Sequence, residues 1–208
     1  MLLLFRSFRA HVENPILSGT RNLFWRYTRL MSYLPALPQL KTERLHLRWL
    51  TEDDADLMLA IWNDPAFIRF VGDRGIRTLD EALEAMRGGV LKLYRDFGYG
   101  PYRLAVHGSD EAMGICGLFK RENLEFPDIG YGLLPAFCGA GYAFEAARAA
   151  ADHAREHMQL SELCAIVTPA NTRSVHLLEK LGMTAGEPIR MPGDDEDVVL
   201  YSVRFSNG

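Results

Sequence analysis

Residues 126–148 constrain this chain more than any other stretch. Ile129, Tyr131 and Leu133 alternate with small residues, the pattern of a strand, and Pro135 then removes the N–H that further ladder pairing needs. A tight glycine turn follows, Cys138-Gly139-Ala140-Gly141-Tyr142-Ala143. After it, residues 143–157 are rich in alanine and helix formers and contain neither Gly nor Pro. Strand, glycine turn and helix together make an anion site. The glycines let successive amides converge on one point, and the helix N-terminus adds its positive dipole end. Two phosphate-binding patterns do not match. A mononucleotide P-loop carries Lys-Ser/Thr after its last glycine, whereas this chain reads Tyr142-Ala143-Phe144-Glu145. A dinucleotide fingerprint has a third Gly or Ala where Phe144 stands, and it follows a first strand rather than lying two-thirds along the chain.

The rest of the chain bounds the context of that turn. With 208 residues there is material for one well-buried core and too little for two. A net charge of −4 supplies no basic footprint for nucleic acid, and no membrane partner is expected. Cys116, Cys138 and Cys164 are scattered, without metal-ligand spacing to His, so free thiols in a reducing, cytoplasmic setting and no metal are expected. Residues 1–35 differ in character. Arg6, Arg9, Arg21, Arg26 and Arg29 face a single acid, Glu13, with Phe5, Phe8, Phe24, Trp25 and Tyr27 between them. This basic leader reads as disordered or over-translated sequence with Met31 as the true start, or as an organellar transit peptide. The globular domain is set at 36–208.

Within it the chain alternates between periods of two and of 3.6. Residues 44–50 read as a first strand, and Thr51 with Glu52, Asp53 and Asp54 as a helix start. Asn63-Asp64-Pro65 reads as the end of that helix, leaving 63–79 irregular. Thr78 and Glu81 form a capping-box pattern for a helix reaching about Asp96. Strands at 102–107 and 113–121 pair across Gly108-Ser109-Asp110, and the strand–turn–helix unit follows. A strand at 163–168, a helix at 172–181 stopped by Gly182, and strands at 189–191 and 198–205 around an acidic turn complete the chain. This order predicts a single α/β domain with a mixed, mostly antiparallel central sheet flanked by helices, rather than a doubly wound fold.

Several segments resemble the GNAT acetyltransferase superfamily, and within it the RimJ/RimL-type branch. Gly141 and Ala143 occupy the two small positions of the acyl-coenzyme A motif Q/R-x-x-G-x-G/A, with Cys138 where Gln or Arg is usual. Lys41-Thr42-Glu43-Arg44-Leu45-His46-Leu47-Arg48 looks like T-E-R-L-x-L-R, and Trp62-Asn63-Asp64-Pro65 looks like W-x-x-D-P. Asp128-Ile129-Gly130-Tyr131 is similar to E-I-G-Y, and the run from Gly139 to Ala146 resembles G-x-G-Y-A-T-E-A. Asn171, Ser174 and Glu179-Lys180-Leu181-Gly182-Met183 resemble N-x-x-S…E-K-L-G-F. The resemblance covers residues 41–205.

It implies an N-acetyltransferase that moves an acetyl group from acetyl-CoA to a primary amine in a ternary complex. The acceptor is a peptide N-terminus, a ribosomal protein or a small amine, and the enzyme is a monomer or homodimer. An alkyl ammonium titrates near pH ~10, so the site needs a proton acceptor, donors to the thioester oxygen, and a proton for the leaving thiolate. In that picture the pantetheine arm lies along Ile129, Tyr131, Leu133 and Leu134 like an added strand. Main-chain N–H groups of Gly139, Ala140, Gly141, Tyr142 and Ala143 hold the diphosphate. Asn171 serves the arm or caps its helix, and Ser174 donates to the thiolate or is an ordinary first-turn serine. Asp128 and Glu125 are the candidate bases, with Glu122 in the loop before them and a water chain as the substitute. A lone Cys138 reads as space-filling, His176 as a helix-surface residue, and Asp194-Asp195-Glu196-Asp197 as a hairpin tip. The alternative class is a non-catalytic acyl-CoA-binding sensor or scaffold.

Overall fold

The computed structural model describes residues 2–3, 39–190 and 197–205. Apart from Leu2–Leu3 the basic leader lies outside these residues, as do Asp194, Asp195 and Glu196 of the acidic turn.

In chain order the elements are β1 (Leu2–Leu3), β2 (Leu40–Lys41), β3 (Leu45–Trp49), α1 (Ala55–Trp62), α2 (Pro65–Phe70), α3 (Leu79–Gly88) and α4 (Val90–Phe97). They continue with β4 (Pro101–Val106), β5 (Gly114–Phe119), β6 (Asp128–Leu133), α5 (Tyr142–Glu156), β7 (Glu162–Val167), α6 (Thr172–Lys180), β8 (Thr184–Arg190) and β9 (Asp197–Arg204). The strands join one sheet in the order β2-β3-β4-β5-β6-β7-β9-β8, with β1 added on β6. Among the described residues every pairing is antiparallel except that of β6 with β7. The domain is therefore α/β with a mixed, mostly antiparallel sheet, as expected.

The expected helix end at Asn63-Asp64-Pro65 is instead a junction. Asp64 accepts from the N–H groups of Ala66 (2.9 Å) and Phe67 (3.2 Å), and Pro65 takes the first helical position, where its missing N–H costs nothing. These residues start α2, so 63–79 is part helix. The capping box forms as written: Glu81 takes the Thr78 N–H at 2.9 Å and Thr78 Oγ1 takes the Glu81 N–H at 3.3 Å. The single helix expected beyond it breaks at Gly88-Gly89 into α3 and α4. The acids after Thr51 form a 3₁₀ turn, and one of them anchors the fold. Asp54, buried, accepts a fork from Arg48 (2.7 and 2.8 Å) and pairs with Arg103 at 3.3 Å.

Two cores lie on opposite faces of the sheet. On one, Ile129, Tyr131 and Leu133 of β6 pack with α5 and α6. The buried side of α5 is Ala143, Ala146, Ala147, Ala150 and Ala154, spaced by three and four so that methyl-sized side chains let the helix approach the strands closely. On the other, Ile115 and Phe119 of β5 join α1, α3 and the start of α4. Phe119 is paired with Asp128 and Ile115 with Gly132, so Asp128, Gly130 and Gly132 face this second side.

Candidate active site

The site begins where two neighbouring strands part. β5 pairs with β6 over its whole length, from Gly114↔Leu133 to Phe119↔Asp128. On the other edge, β6 meets β7 in parallel at Asp128↔Cys164, with the Cys164 N–H on the Pro127 carbonyl at 3.0 Å. Beyond that point no further β7 partner is found among the described residues, and the edge of β6 turns into a notch. β1 takes part of this edge, with Leu2↔Gly132 and Leu3↔Tyr131. The end of α2 lies across from it: Thr168 Oγ1, just past β7, donates to the Phe70 carbonyl at 3.4 Å.

The glycine turn closes one end of the notch. Gly139 and Gly141 have φ of 89° and 84°, the left-handed region in which an L side chain is strained. Residues 139–141 are exposed. The Gly141 carbonyl accepts the Glu145 N–H at 3.1 Å and so starts α5. Among the described residues, no N–H from 139 to 143 donates to a protein acceptor. These amides, at the head of a helix, are neutral donors of the kind that can receive an anion.

Beside Tyr131 of β6 stands the N-terminus of α6. Asn171 is buried and caps the helix, its Oδ1 accepting the Ser174 N–H at 3.3 Å. Ser174 is wholly buried, and the Tyr131 phenol lies close to it but outside standard hydrogen-bond geometry. Burial pushes the phenol above its ordinary range, and the serine hydroxyl works against that shift.

At the closed end of the notch, Asp128 is 1% exposed. Its Oδ2 accepts from Arg121 Nε at 3.0 Å, whereas Oδ1 has no hydrogen-bond partner among the described residues. Burial pushes the carboxyl above the ordinary carboxylate range, while Arg121 and Lys120 pull it back. Arg74 lies near Arg121 and over the Trp62 ring, 5.3 Å from its centroid. Burial, with the Arg121 charge, lowers the Arg74 guanidinium to about 10. Glu125 is exposed, and its carbonyl accepts from Lys120 Nζ at 3.0 Å.

Residues 44–184 match the family model described as an acetyltransferase (GNAT) domain. The chain belongs to the GNAT acetyltransferase family. It is 30% identical over 144 residues to the uncharacterised N-acetyltransferase p20 of Bacillus licheniformis, covering 68% of this chain and 80% of p20. An acetyltransferase from Agrobacterium tumefaciens shares its structure with a TM-score of 0.70 and 27% identity, over 90% of this chain and 100% of that one. RimL, a ribosomal L7/L12 α-N-protein acetyltransferase solved in complex with coenzyme A, shares the fold with a TM-score of 0.67. It is 19% identical, over 81% of this chain and 97% of RimL.

In this GNAT domain, β6, the turn and α6 bring most of the expected site residues to one notch. Ile129, Tyr131 and Leu133 point their side chains into the core, so only their main chain is available to a ligand on the β6 edge. Leu134 is half-buried. Glu125 stands apart on the surface, and His176 faces solvent on α6. Cys138 is half-buried, its Sγ 3.6 Å from the Leu134 carbonyl and 3.8 Å from that of Leu133, which suits packing beneath the turn. Asp197, at the end of the acidic stretch, pairs with Arg190 at 2.8 Å. Sequence reasoning passed over Thr42, Arg44 and Glu145, which meet beside the turn. Their only signal was their place in the family-like motifs, because 101 residues separate Arg44 from Glu145. Among the described residues, no group of His, Cys, Asp and Glu could hold a metal ion, and no helix is long and apolar enough to cross a membrane.

Proposed function

We propose that this GNAT protein is an N-acetyltransferase of RimJ/RimL type, moving an acetyl group from acetyl-CoA to a primary amine by direct attack in a ternary complex. The observation that carries this reading is the turn at 139–143, exposed at 139–141, whose N–H groups have no protein acceptor among the described residues, beside a β6 edge that β7 has left. The turn takes the diphosphate through main-chain donors. The arm runs along the main chain of Ile129, Tyr131 and Leu133, where amide N–H groups polarise the thioester oxygen. The Leu134 N–H is already given to the Met113 carbonyl at 2.8 Å and is not available to it. Asn171 serves the arm while capping α6.

Asp128 is the general base of this proposal. A buried carboxyl with one committed and one uncommitted oxygen, raised toward neutrality by desolvation, is suited to taking a proton from an ammonium. Ser174 returns a proton to the thiolate. A coenzyme thiol resembles a cysteine, with a pKa near ~8.5, and leaves with little help. Ser174→Ala is therefore expected to lower kcat by only about tenfold, with the KM for acetyl-CoA nearly unchanged. Equal changes in kcat and in cofactor affinity would make Ser174 a binding residue.

The arm and β1 compete for the same edge of β6 at Tyr131 and Gly132. Deleting residues 1–35 is thus expected to lower the KM for acetyl-CoA with kcat unchanged, measured by steady-state kinetics. An unchanged KM would place the arm on another path. The whole reading is tested by following thiol release from acetyl-CoA with a panel of primary amines: peptides with free N-termini, polyamines and small amines. Tight binding of coenzyme A without turnover on any of them would leave the non-catalytic module instead.

A further inference from the structure

Beside the glycine turn, a cluster ties the start of β3 to the first turn of α5. Glu145 accepts from Thr42 Oγ1, from the Arg44 main-chain N–H (2.8 Å) and from Arg44 Nε and a terminal guanidinium nitrogen, each at 2.6 Å. The other terminal nitrogen of Arg44 donates to the Ala140 carbonyl at 3.0 Å, and the guanidinium lies 4.6 Å from the centroid of the Tyr142 ring. The fork of one arginine is thus divided between a carboxylate and a backbone carbonyl inside the turn, a division that a point-charge lysine cannot reproduce.

That carbonyl matters because a trans peptide unit is planar. Its C=O and the following N–H point in opposite directions. Holding the Ala140 carbonyl toward Arg44 therefore turns the Gly141 N–H away from Arg44, toward the open side of the turn. Glycine on both sides of Ala140 leaves this peptide plane free to rotate unless something outside the turn fixes it. Glu145 is an acid placed at the head of α5, close to where an anion would sit. Its carboxyl is held below the ordinary range by hydrogen bonds from Thr42 and Arg44 and by the Arg44 charge, against the opposing effect of burial.

We infer that Arg44, held by Glu145, is a positioning residue for the acyl carrier: it sets the orientation of the Ala140–Gly141 peptide so that the turn is preorganised for a diphosphate. This rests on the acyl-CoA reading of the turn. This role does not need Arg44 to grip the ligand: three of its five guanidinium N–H groups are directed to Glu145 and Ala140. Two substitutions separate this role from plain electrostatics, which predicts full affinity for Arg44→Lys, where the charge is kept, and the opposite sign of change for a neutral Glu145. Neutralising Glu145 next to an anion site should tighten binding if charge alone matters, and should weaken it if Glu145 holds the positioning arginine.

The test is calorimetry of the full chain with coenzyme A, beside ligand-observed NMR with pantetheine, which has the arm and lacks the diphosphate. Arg44→Lys and Glu145→Gln are each expected to weaken coenzyme A about tenfold, the scale of one charge-assisted hydrogen bond, and to leave pantetheine unchanged. The double variant should be no worse than either single one, as for two members of one unit. Tighter coenzyme A binding by Glu145→Gln, or full affinity in Arg44→Lys, would overturn the positioning role. Equal losses for coenzyme A and pantetheine would overturn it too, as the mark of a general packing defect. A wild-type protein that takes no coenzyme A would overturn the acyl-carrier reading itself.

Discussion

Gly141→Asp is expected to abolish acetyl-CoA binding while the domain stays folded. The residue is exposed, and the atom nearest to an added Cβ is a terminal nitrogen of Arg44 at 3.5 Å, an ordinary contact, so space is not the obstacle. Two costs remain. At φ 84° any L side chain is strained, by about 1–2 kcal/mol, with Asn and Asp at the low end. The second cost is electrostatic. A carboxylate ~5 Å from one negative charge at an effective dielectric of ~20 is disfavoured by about 3 kcal/mol, and a diphosphate carries more than one charge. That corresponds to a loss of more than about 100-fold in affinity. Gly141→Asn shares the backbone strain and the shape without the charge, and should keep affinity within about tenfold. Calorimetry on both variants, with melting curves alongside, separates the terms. Equal affinity of the Asp variant and wild type would mean that the turn does not face the ligand.

Asp128→Asn is expected to lower kcat by about 100-fold or more, the range of a lost general base, and to remove the limb of the pH–rate profile on which activity rises as a carboxyl ionises. That limb lies above the ordinary carboxylate range, because burial raises the pKa of Asp128 against the opposing pull of Arg121 and Lys120. Tyr99 and Cys164 are the other titratable groups that feel this carboxylate, and burial brings them up to about 12 and about 11. Neither competes for the proton near neutral pH. The same shift carries a stability signature. An acid whose folded pKa is raised contributes stability that is fully present below its unfolded pKa and is lost as the pH rises through the folded value. The asparagine variant escapes that loss, so its melting temperature relative to wild type should climb with pH. Intact kcat would pass the base role to Glu125 or to water. Lower melting at every pH, with activity lost in proportion, would make Asp128 a structural partner of Arg121.

Much of the frame can be read locally because its causes are local. The alternation of Ile129, Tyr131 and Leu133, the Thr78–Glu81 box and the glycines at 139 and 141 each act through neighbours within four residues, and each appears where expected. Errors came where one local signal has two uses. Asp64-Pro65 ends one helix and starts the next, and its first use hid the second. Gly88-Gly89 breaks a helical pattern whose other residues continue it to about Asp96. β8 extends back to Thr184 on an exposed, non-alternating run because β9 supplies its hydrogen bonds across a register shift.

By itself, the amino-acid order determined which backbone can cradle an anion, since that depends on left-handed glycines and a helix start a few residues apart. It also determined the element order from which the sheet is built. Only the tertiary structure decided what aims and surrounds that cradle. β6 and β7 part after a single bridge, Arg44 reaches Glu145 and Ala140 from across the fold, and Asp128 ends up buried beside Arg121 with one oxygen uncommitted. Peptide conformation is set by neighbouring residues, whereas burial, and with it the strength of a charge or the acidity of a carboxyl, is set by whatever distant segments the fold brings alongside.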